Sequence, residues 1–401
     1  MFNNLKNYED DPIEALFKRI SLDDSSNKID LGIGVFRDQT GQVPVMRAVV
    51  EAEKQLLKQH ASKSYMSPLG NMDYCADMER SVLGEGHDAL QRIVSAQTPG
   101  AGAALRGAAE FIESFCPTAT VWFGSPCWGH QIEFFERAGL RTKQYRYYNR
   151  EQGELDFSGM LEDLKALQEN DVLLLHGCCH NPTGEDPDLA QWQILADLIN
   201  EKRVLPLVDV AYQGFGSGIE EDVAGVRLLA AQVSQLILTV SSSKSFGIYR
   251  ERAGLLSIIH QEQASSDSLQ RKLRDTLRQL YFMAPNHGAA IVHEILSSQT
   301  LEQLWRDELN AVRRQVVTMR VALKATLEQA NPQFDASFIP RQKGMFSCLP
   351  LSQAQQLRME QQYHIYMLPN ARVNVAAMSA EQSQALAIAF AEILSESVAQ
   401  R

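Results

Sequence analysis

The residues most suited to chemistry in this sequence surround Lys244. Residues 241–247 read Ser-Ser-Ser-Lys-Ser-Phe-Gly, and Arg252 follows shortly afterwards. A lysine amine can form a Schiff base with a carbonyl compound, while hydroxyl groups and a guanidinium can bind a phosphate. These groups suit pyridoxal phosphate (PLP), a cofactor that carries both an aldehyde and a phosphate. Taken alone, a serine-rich segment with one lysine is more often a solvated turn.

A second segment that could bind a ligand is 98–106, which reads Thr-Pro-Gly-Ala-Gly-Ala-Ala-Leu-Arg. Its small residues precede a predicted helix over 103–115, and free backbone N–H groups at a helix start attract phosphate. We therefore predict that Gly100, Ala101 and Gly102 contact a phosphate group. The alternative is a buried alanine-rich helix that begins with a glycine turn.

An acid and an amide follow two other apolar runs. Asp209 ends the run 204–208, where burying a carboxylate is costly without a partner, and a pyridinium nitrogen would be such a partner. Tyr212 could then donate to the phenolic oxygen of the same ring. Asn181, within the segment His-Gly-Cys-Cys-His-Asn-Pro-Thr-Gly at 176–184, could reach a ring substituent. The ordinary interpretations are a helix N-cap for Asp209 and a turn residue for Asn181.

The histidines and cysteines of 176–184 invite a metal interpretation, but we predict no metal site. Adjacent cysteines and closely spaced ligands cannot easily surround one ion tetrahedrally. The spacing of the cysteines in the chain matches no zinc or disulfide framework, and the six are Cys75, Cys116, Cys127, Cys178, Cys179 and Cys348. We expect free, mostly buried thiols in a reducing compartment.

Two arginines are candidates for binding carboxylates. Arg372 opens the apolar run Arg-Val-Asn-Val-Ala, where an arginine is rarely buried without a partner, and its planar fork matches a carboxylate. The alternative is a surface arginine on an edge strand. Arg278 lies in a basic stretch with Arg271, Lys272 and Arg274, a pattern typical of a solvated helix face.

The elements that must position these side chains alternate between two patterns. Apolar runs over 172–175, 204–208 and 236–240 predict buried strands. Between the first two runs, apolar residues recur at helical spacing at Trp192, Leu195, Ala196 and Ile199. Buried strands that alternate with helices are typical of an α/β protein, with a parallel sheet covered on both faces.

Three candidate residues follow three different strands of this predicted sheet. Ligands of such sheets bind just beyond the carboxyl ends of the strands. Asn181, Asp209 and Lys244 all fall at such ends, which unrelated surface residues would rarely do. We therefore expect these three side chains to form one site.

The C-terminal part of the chain has a different pattern. One stripe of a long amphipathic helix is formed by Leu309, Val312, Val316, Met319, Leu323 and Leu327. Ser379 and Gln382 form a possible capping box for a last helix. The predicted domains are an N-terminal arm and part of a small domain over 1–44, a large cofactor-binding domain over 45–298, and a linking helix with a small domain over 299–401.

Length, composition and charge narrow the class of protein. The 401 residues, of which 45% are hydrophobic and 22% charged, fit a large domain plus a smaller one. A net charge of -11 disfavours nucleic acid and anionic membranes as partners. No apolar run approaches the roughly 20 residues of a membrane span, and no basic region followed by an apolar run marks a signal peptide at the N-terminus. We expect a cytoplasmic protein.

Taken in order, the motifs closely resemble those of the bacterial aspartate and aromatic aminotransferases, a PLP-dependent family of fold type I. The resemblance runs from 11–13 to 372–376 and includes Leu-Gly-Ile-Gly-Val at 31–35 and Gly-Met-Phe-Ser at 344–347. It implies a large domain with a mainly parallel sheet flanked by helices, and a smaller α+β domain. It also implies a transaminase that passes an amino group from an amino acid to 2-oxoglutarate by a ping-pong reaction.

The resemblance implies a role for each residue around the cofactor ring. Lys244 would form the Schiff base and then move a proton between substrate and cofactor. Asp209 would hold the pyridine nitrogen, and Tyr212 and Asn181 would contact the ring oxygen. Trp128 would stack on the ring, next to the substrate.

Further roles concern the phosphate and the substrate carboxylate. Ser241 and Arg252 would bind the phosphate, joined by Tyr65 of the partner subunit. Arg372 would bind the α-carboxylate, with Gly34 closing over it.

The resemblance also implies a homodimer with shared active sites. Arg278 of the partner subunit would meet the distal carboxylate of aspartate or glutamate. The same arginine is present in aromatic-preferring relatives, so it leaves the preferred amino donor open. The implied partners are small amino acids and 2-oxo acids.

The chain departs from the family at three places. Ala101 and Gly102 replace a glycine and a serine or threonine, so one hydroxyl contact to the phosphate is lost and we expect weaker PLP retention. Gln131 stands where a histidine commonly supports the aspartate. Phe282 and Met283 replace small polar residues near the active site of the partner subunit and could reshape it.

Two other functions stay open at this point. One keeps the cofactor but breaks a different bond, as in a β-lyase or a decarboxylase, although the presence of both Arg372 and Arg278 favours transamination. The other is a relative that binds PLP or a partner protein with little activity, which the altered phosphate loop suggests. Intact Lys244, Asp209 and Tyr212 argue against it.

Overall fold

The computed structural model describes residues 11–59, 62–261 and 266–399. In that part of the chain the strands are β1 (Ile29–Asp30), β2 (Ile93–Pro99), β3 (Thr120–Ser125), β4 (Arg141–Arg146), β5 (Tyr148–Asn149), β6 (Glu154–Leu155), β7 (Val172–His176), β8 (Leu205–Val210), β9 (Leu236–Ser241), β10 (Ala253–Ile259), β11 (Phe346–Cys348), β12 (Ile365–Tyr366) and β13 (Arg372–Asn374).

The helices of the same residues are α1 (Pro12–Leu22), α2 (Arg47–Gln59), α3 (Met72–Leu83), α4 (Gly100–Phe115), α5 (Gly129–Glu136), α6 (Phe157–Leu164), α7 (Leu189–Lys202), α8 (Ala224–Gln232), α9 (Ser266–Tyr281), α10 (Asn286–Leu296), α11 (Gln299–Ala330), α12 (Phe338–Arg341), α13 (Gln353–Tyr363) and α14 (Ala380–Ala399). Short 3-10 turns lie at Asp88–Arg92, Glu221–Val223 and Val375–Ala377.

A seven-stranded sheet with the strand order β2-β10-β9-β8-β7-β3-β4 forms the centre of the protein. Six strands are parallel, and β10 runs antiparallel to both of its neighbours. The three strands predicted from apolar runs are therefore confirmed as adjacent and parallel. Their register places His176 beside Asp209 and Asp209 beside Thr239.

Both faces of the sheet are buried. Successive side chains along a strand point to opposite faces, so neighbouring residues belong to different cores. Phe123, Leu174 and Leu207 belong to the core on one face. Leu173 and Val208, their neighbours in sequence, belong to the core on the other face. This alternation explains why the strands read as continuous apolar runs.

The N-terminal segment contacts the C-terminal part of the chain, as expected. Strand β1 pairs with β12, and Leu16 of α1 packs against Tyr366 and Leu368. The long helix α11 and the capping box at Ser379 and Gln382 are confirmed. The domain boundaries at 44/45 and 298/299 stay a prediction.

Two sequence expectations were wrong in detail. Helix α4 begins at Gly100, directly after β2 and three residues before the predicted start. Asp209 is not a helix N-cap: it lies within β8, one residue before the end of the strand.

Each of the six cysteines is free, and four of them are buried. No helix in the described ranges combines the length and apolar character needed to cross a membrane.

Candidate active site

Lys244 lies in the loop after β9, beside the carboxyl ends of β7 and β8, and its side chain is half-buried. Burial lowers the pKa of Lys244 to about 8, because a charged amine is costly away from water; Arg252 and Arg372 also lower it, and Asp209 opposes the shift. The Lys244 Nζ atom lies 4.9 Å from the centre of the Tyr212 ring. The neutral, nucleophilic form of this amine is thus more abundant near neutral pH than that of an ordinary lysine.

Asp209 is 5% exposed and is held by two neutral donors. Thr239 Oγ1 donates to one carboxylate oxygen at 2.8 Å, and Gln131 Nε2 donates to the other at 2.8 Å. Burial raises the pKa of Asp209, while these two donors and Lys244 counteract that rise. Sequence reasoning missed Thr239, although a lone hydroxyl in the apolar run Leu-Ile-Leu-Thr-Val was the available signal.

Asn181, Tyr212 and Arg372 meet beside this carboxylate. Asn181 Nδ2 lies 3.5 Å from the Tyr212 hydroxyl, and Arg372 Nη1 donates to Asn181 Oδ1 at 3.1 Å. Arg372 Nη2 donates to the carbonyl oxygen of Gly32 at 2.6 Å. Burial raises the pKa of Tyr212, so the phenol keeps its proton.

The surface interpretation of Arg372 is wrong, because its side chain is only 6% exposed. It has no ion-pair partner among the described residues, and its Nε atom is buried without a hydrogen-bond acceptor. A buried guanidinium with an unused donor is suited to an incoming carboxylate.

Phe346 covers the same arginine. Its ring centre lies 4.0 Å from the guanidinium carbon of Arg372, and its ring meets that of Tyr212 edge-on at 5.9 Å. A Cβ atom on Gly34 would approach Phe346 Cζ to 3.2 Å, so a larger residue would crowd this contact. Sequence analysis included Phe346 in a motif but gave it no role.

A cradle for an anion lies where β2 passes into α4. Helix α4 has no side-chain cap at its N-terminus, so its first N–H groups lack a side-chain acceptor. Gly100 has φ +78, and a Cβ there would lie 2.3 Å from Arg252 Nη2. Arg252 donates to the carbonyl oxygen of Tyr249 at 3.0 Å and to Ser243 Oγ at 3.4 Å. Ser241, at the end of β9, is buried beside this loop.

These residues fit the cofactor expected from the sequence. The α4 terminus and Arg252 match a phosphate, the buried Asp209 matches a protonated ring nitrogen, and Lys244 matches an aldehyde. Ala101 and Gly102 form the first turn of α4 without a hydroxyl group. The half-buried Trp128 precedes α5, the helix that carries Gln131.

Tyr65 and Arg278 lie on the surface of the protein. The Tyr65 side chain is 85% exposed, and its ring contacts Phe282 with 5.8 Å between the ring centres. Met283 Sδ lies 3.4 Å from the backbone nitrogen of Met66 in the same region. Phe282 is itself 52% exposed. Arg278 is exposed at the last turn of α9.

One cluster in the described residues has the composition of a metal site. A carboxylate oxygen of Asp222 and the sulfurs of Cys178 and Cys179 lie within 4.8 Å of one another. The Asp222 carboxylate already accepts four backbone N–H groups, those of Gly214, Gly216, Ser217 and Gly218. Burial raises the pKa of Cys179 well above its usual value, which opposes the thiolate form that a metal requires.

Known sequences match the chain over almost its whole length. Residues 26–390 match the family model described as aminotransferase class I and II. An aspartate aminotransferase from Salmonella typhi is 39% identical over 396 residues, which cover 98% of this chain and 100% of that protein. An aromatic-amino-acid aminotransferase from Paracoccus denitrificans is 37% identical, with 98% of this chain and 100% of that protein covered.

A solved structure gives the same result. The crystal structure of an aromatic-amino-acid aminotransferase from Burkholderia pseudomallei, covalently bound to pyridoxal phosphate, superposes with a TM-score of 0.95. The two sequences are 35% identical, and the alignment covers 98% of this chain and 99% of the other.

Proposed function

The chain belongs to the class I and II aminotransferases, and we propose that it uses PLP to move the amino group of aspartate or of an aromatic amino acid to 2-oxoglutarate. The fold is that of the fold type I PLP-dependent transferases, with a mainly parallel sheet flanked by helices. The observation that carries the proposal is the set of three complementary groups at one edge of the sheet: the Lys244 amine, the Asp209 carboxylate and the buried Arg372 guanidinium.

Each of these residues has a separate task. Arg372 binds the α-carboxylate through its guanidinium, whose buried Nε group has no acceptor among the described residues, and Phe346 keeps water from that guanidinium. Asp209 holds a proton at the cofactor ring nitrogen. PLP, when bound, supplies the electron sink that stabilises negative charge on the substrate α-carbon. Lys244 is the base that moves the proton from that carbon.

The remaining residues orient the cofactor. We assign the phosphate to Arg252, Ser241 and the first N–H groups of α4 at Gly100, Ala101 and Gly102. We assign the ring oxygen to Tyr212 and Asn181, and the ring face to Trp128. Gly34 provides the space beside Phe346 in which the carboxylate is covered.

We further propose a homodimer in which Tyr65 and Arg278 complete the site of the partner subunit. The support is their exposure, since neither side chain is buried within its own subunit. A cytoplasmic location and the domain division at 44/45 and 298/299 belong to the same proposal. The six free cysteines support a reducing compartment.

The first experiment is an absorption spectrum of the purified protein with PLP, before and after addition of aspartate, and then of tyrosine. We expect the band of the lysine-bound cofactor to convert to that of its amine form, and 2-oxoglutarate to reverse the change with formation of glutamate. Lys244→Ala should bind PLP without covalent attachment and lose turnover, while Lys58→Ala, at an exposed lysine, should behave as wild type.

The faster donor would identify the preferred substrate. A lysine-bound band that no amino acid changes would contradict transamination. It would instead support a relative that binds PLP with little activity. Formation of a keto acid together with ammonia would point to a lyase.

A further inference from the structure

A buried chain of hydrogen bonds leads from the backbone to the Asp209 carboxylate. The backbone N–H of Asn181 donates to His176 Nδ1 at 3.2 Å. His176 Nε2 lies 3.1 Å from Gln131 Oε1, and Gln131 Nε2 lies 2.8 Å from Asp209 Oδ2. His176, Gln131 and Asp209, whose side chains form this network, are 0% to 9% exposed, so little water competes for these contacts.

The direction of every bond follows from its first member, because a backbone N–H can only donate. His176 Nδ1 must therefore accept, and a neutral imidazole that accepts at Nδ1 carries its proton at Nε2. The Nε2–H group then donates to Gln131, which fixes the amide oxygen on the histidine side. The amide NH2 group consequently faces Asp209.

Neighbouring groups keep His176 neutral and in place. The His176 ring lies 4.4 Å from the ring of His180, and that ring stacks on Tyr147 at 3.9 Å. His180 Nδ1 is bonded to Thr183 Oγ1 at 2.9 Å. Burial lowers the pKa of His176 to about 4, which is consistent with the neutral tautomer.

We propose that Gln131 and His176 are positioning residues that keep the Asp209 carboxylate ionised, with His176 acting by fixing the orientation of the Gln131 amide. A rotated amide would direct its oxygen at the carboxylate and destabilise the ionised form. This inference rests on the proposed function, because the ionised carboxylate is what keeps the proton on the cofactor ring nitrogen.

The test measures that proton directly. PLP labelled with 15N in the ring is bound to the protein, and the 15N chemical shift reports whether the nitrogen is protonated. The wild type should show a protonated nitrogen. Gln131→Met removes the donor, so the proton affinity of Asp209 should rise and the signal should move toward the unprotonated value.

Four further variants separate positioning from simple packing. His176→Phe keeps a ring against His180 but cannot fix the amide, and should move the signal in the same direction. The double variant should resemble Gln131→Met alone, since His176 acts through Gln131. Gln131→His, which retains an N–H donor, should keep the wild-type signal. Tyr145→Phe, which removes a buried donor to the carbonyl oxygen of Leu174, is the matched control and should change nothing.

An unchanged signal in Gln131→Met, or additive changes in the double variant, would overturn the inference. If Gln131→Met does not fold, Gln131→Asn, whose shorter amide cannot span the same gap, replaces it. Failure of the wild type to bind PLP would instead refute the proposed function. A wild type that transaminates with an unprotonated ring nitrogen would refute the roles given to Asp209, Gln131 and His176 but leave the proposed transamination intact.

Discussion

The reactive groups of this site are tuned by burial more than by direct ion pairs. Lys244 and Asp209 both resist ionisation, because each lies away from water, and their opposite charges partly offset that cost. Thr239 and Gln131 add two neutral donors to the carboxylate. The result is an amine whose pKa is lowered to about 8, beside a carboxyl group whose pKa would be raised further without its donors.

This tuning predicts the pH dependence of cofactor attachment. Only the neutral amine of Lys244 attacks an aldehyde, so the rate of covalent PLP attachment should rise with pH and reach half its maximum at a pH of about 8. Asp209→Asn removes the charge that favours the ammonium form, and should shift this midpoint downward by about one pH unit. Stopped-flow absorbance of the apoprotein mixed with PLP at a series of pH values measures the attachment rate in the wild type and in the variant. An upward shift of the midpoint in Asp209→Asn would contradict the stabilisation of the Lys244 ammonium by the Asp209 carboxylate.

At the scale of elements, the turn from β2 into α4 shapes the phosphate cradle. No residue separates the strand from the helix, and a Cβ on Gly254 of β10 would lie 2.7 Å from the carbonyl carbon of Gly100. The backbone can approach an anion closely only because these positions lack side chains. Gly102, two residues after Gly100, leaves additional space.

Gly102→Thr should therefore slow PLP dissociation. A Cβ at this position would meet Phe134 Cζ at 3.4 Å, an ordinary contact, so the side chain fits. The added hydroxyl supplies one hydrogen bond to a charged group, which predicts roughly tenfold slower release of the cofactor. Gly102→Val has nearly the same shape without the hydroxyl and serves as the control. Equal release rates for the two variants would rule out the hydroxyl as the cause.

Helix α11 holds the segment that carries Phe346. The buried guanidinium of Arg320 donates to four backbone carbonyl oxygens and to Ser347 Oγ, and those carbonyls belong to Ile339, Lys343, Gly344 and Phe346. The same segment hydrogen-bonds to Gly184, three residues after Asn181, through the Lys343 backbone N–H at 2.7 Å. Arg320 thus connects α11 to the cover of the substrate carboxylate site.

Arg320→Met should lower stability and weaken substrate binding together. The loss of several buried hydrogen bonds predicts a decrease of about 3 kcal/mol in the free energy of unfolding. Looser packing of Phe346 on Arg372 should raise KM for the amino acid more than it lowers kcat. Urea unfolding and steady-state kinetics measure these changes, with the exposed Arg314→Met on the same helix as the control. A normal KM would show that Arg320 only stabilises the fold.

At the scale of the whole molecule, aromatic and charged groups lie exposed together on one part of the surface. Tyr65 and Phe282 are exposed and contact each other, and Arg278 lies on the adjacent helix α9. Exposed aromatic residues of this kind are typical of subunit interfaces. They fit the proposed dimer, in which each subunit completes the site of the other.

Mixed dimers test this shared site. Lys244→Ala and Arg278→Ala should each have little activity on aspartate when alone. After the two are unfolded and refolded together, half of the dimers should contain both types of subunit, and one of their two sites should be intact. Activity should then recover to about a quarter of the wild-type value. No recovery in refolded dimers of confirmed mixed composition would place Arg278 in the site of its own subunit.

Much of the fold and of the site followed from local sequence. The runs 172–175, 204–208 and 236–240 predicted three strands of a parallel sheet, because burial on both faces requires continuous apolar side chains. Their carboxyl ends then brought Asn181, Asp209 and Lys244 together. The start of α4 and the exact place of Asp209 were missed, since element boundaries depend on backbone contacts that composition does not specify.

The sequence by itself determined the family, the parallel sheet and the residues with reactive groups. Only the tertiary structure decided how the surrounding groups contact them: Thr239 and Gln131 on Asp209, Phe346 on Arg372, and Arg320 behind Phe346. Gln131 and Asp209 are 78 positions apart, and Arg320 and Phe346 are 26 apart. Contacts at such separations depend on strand register and helix packing, so only the folded chain reveals how each charge is stabilised.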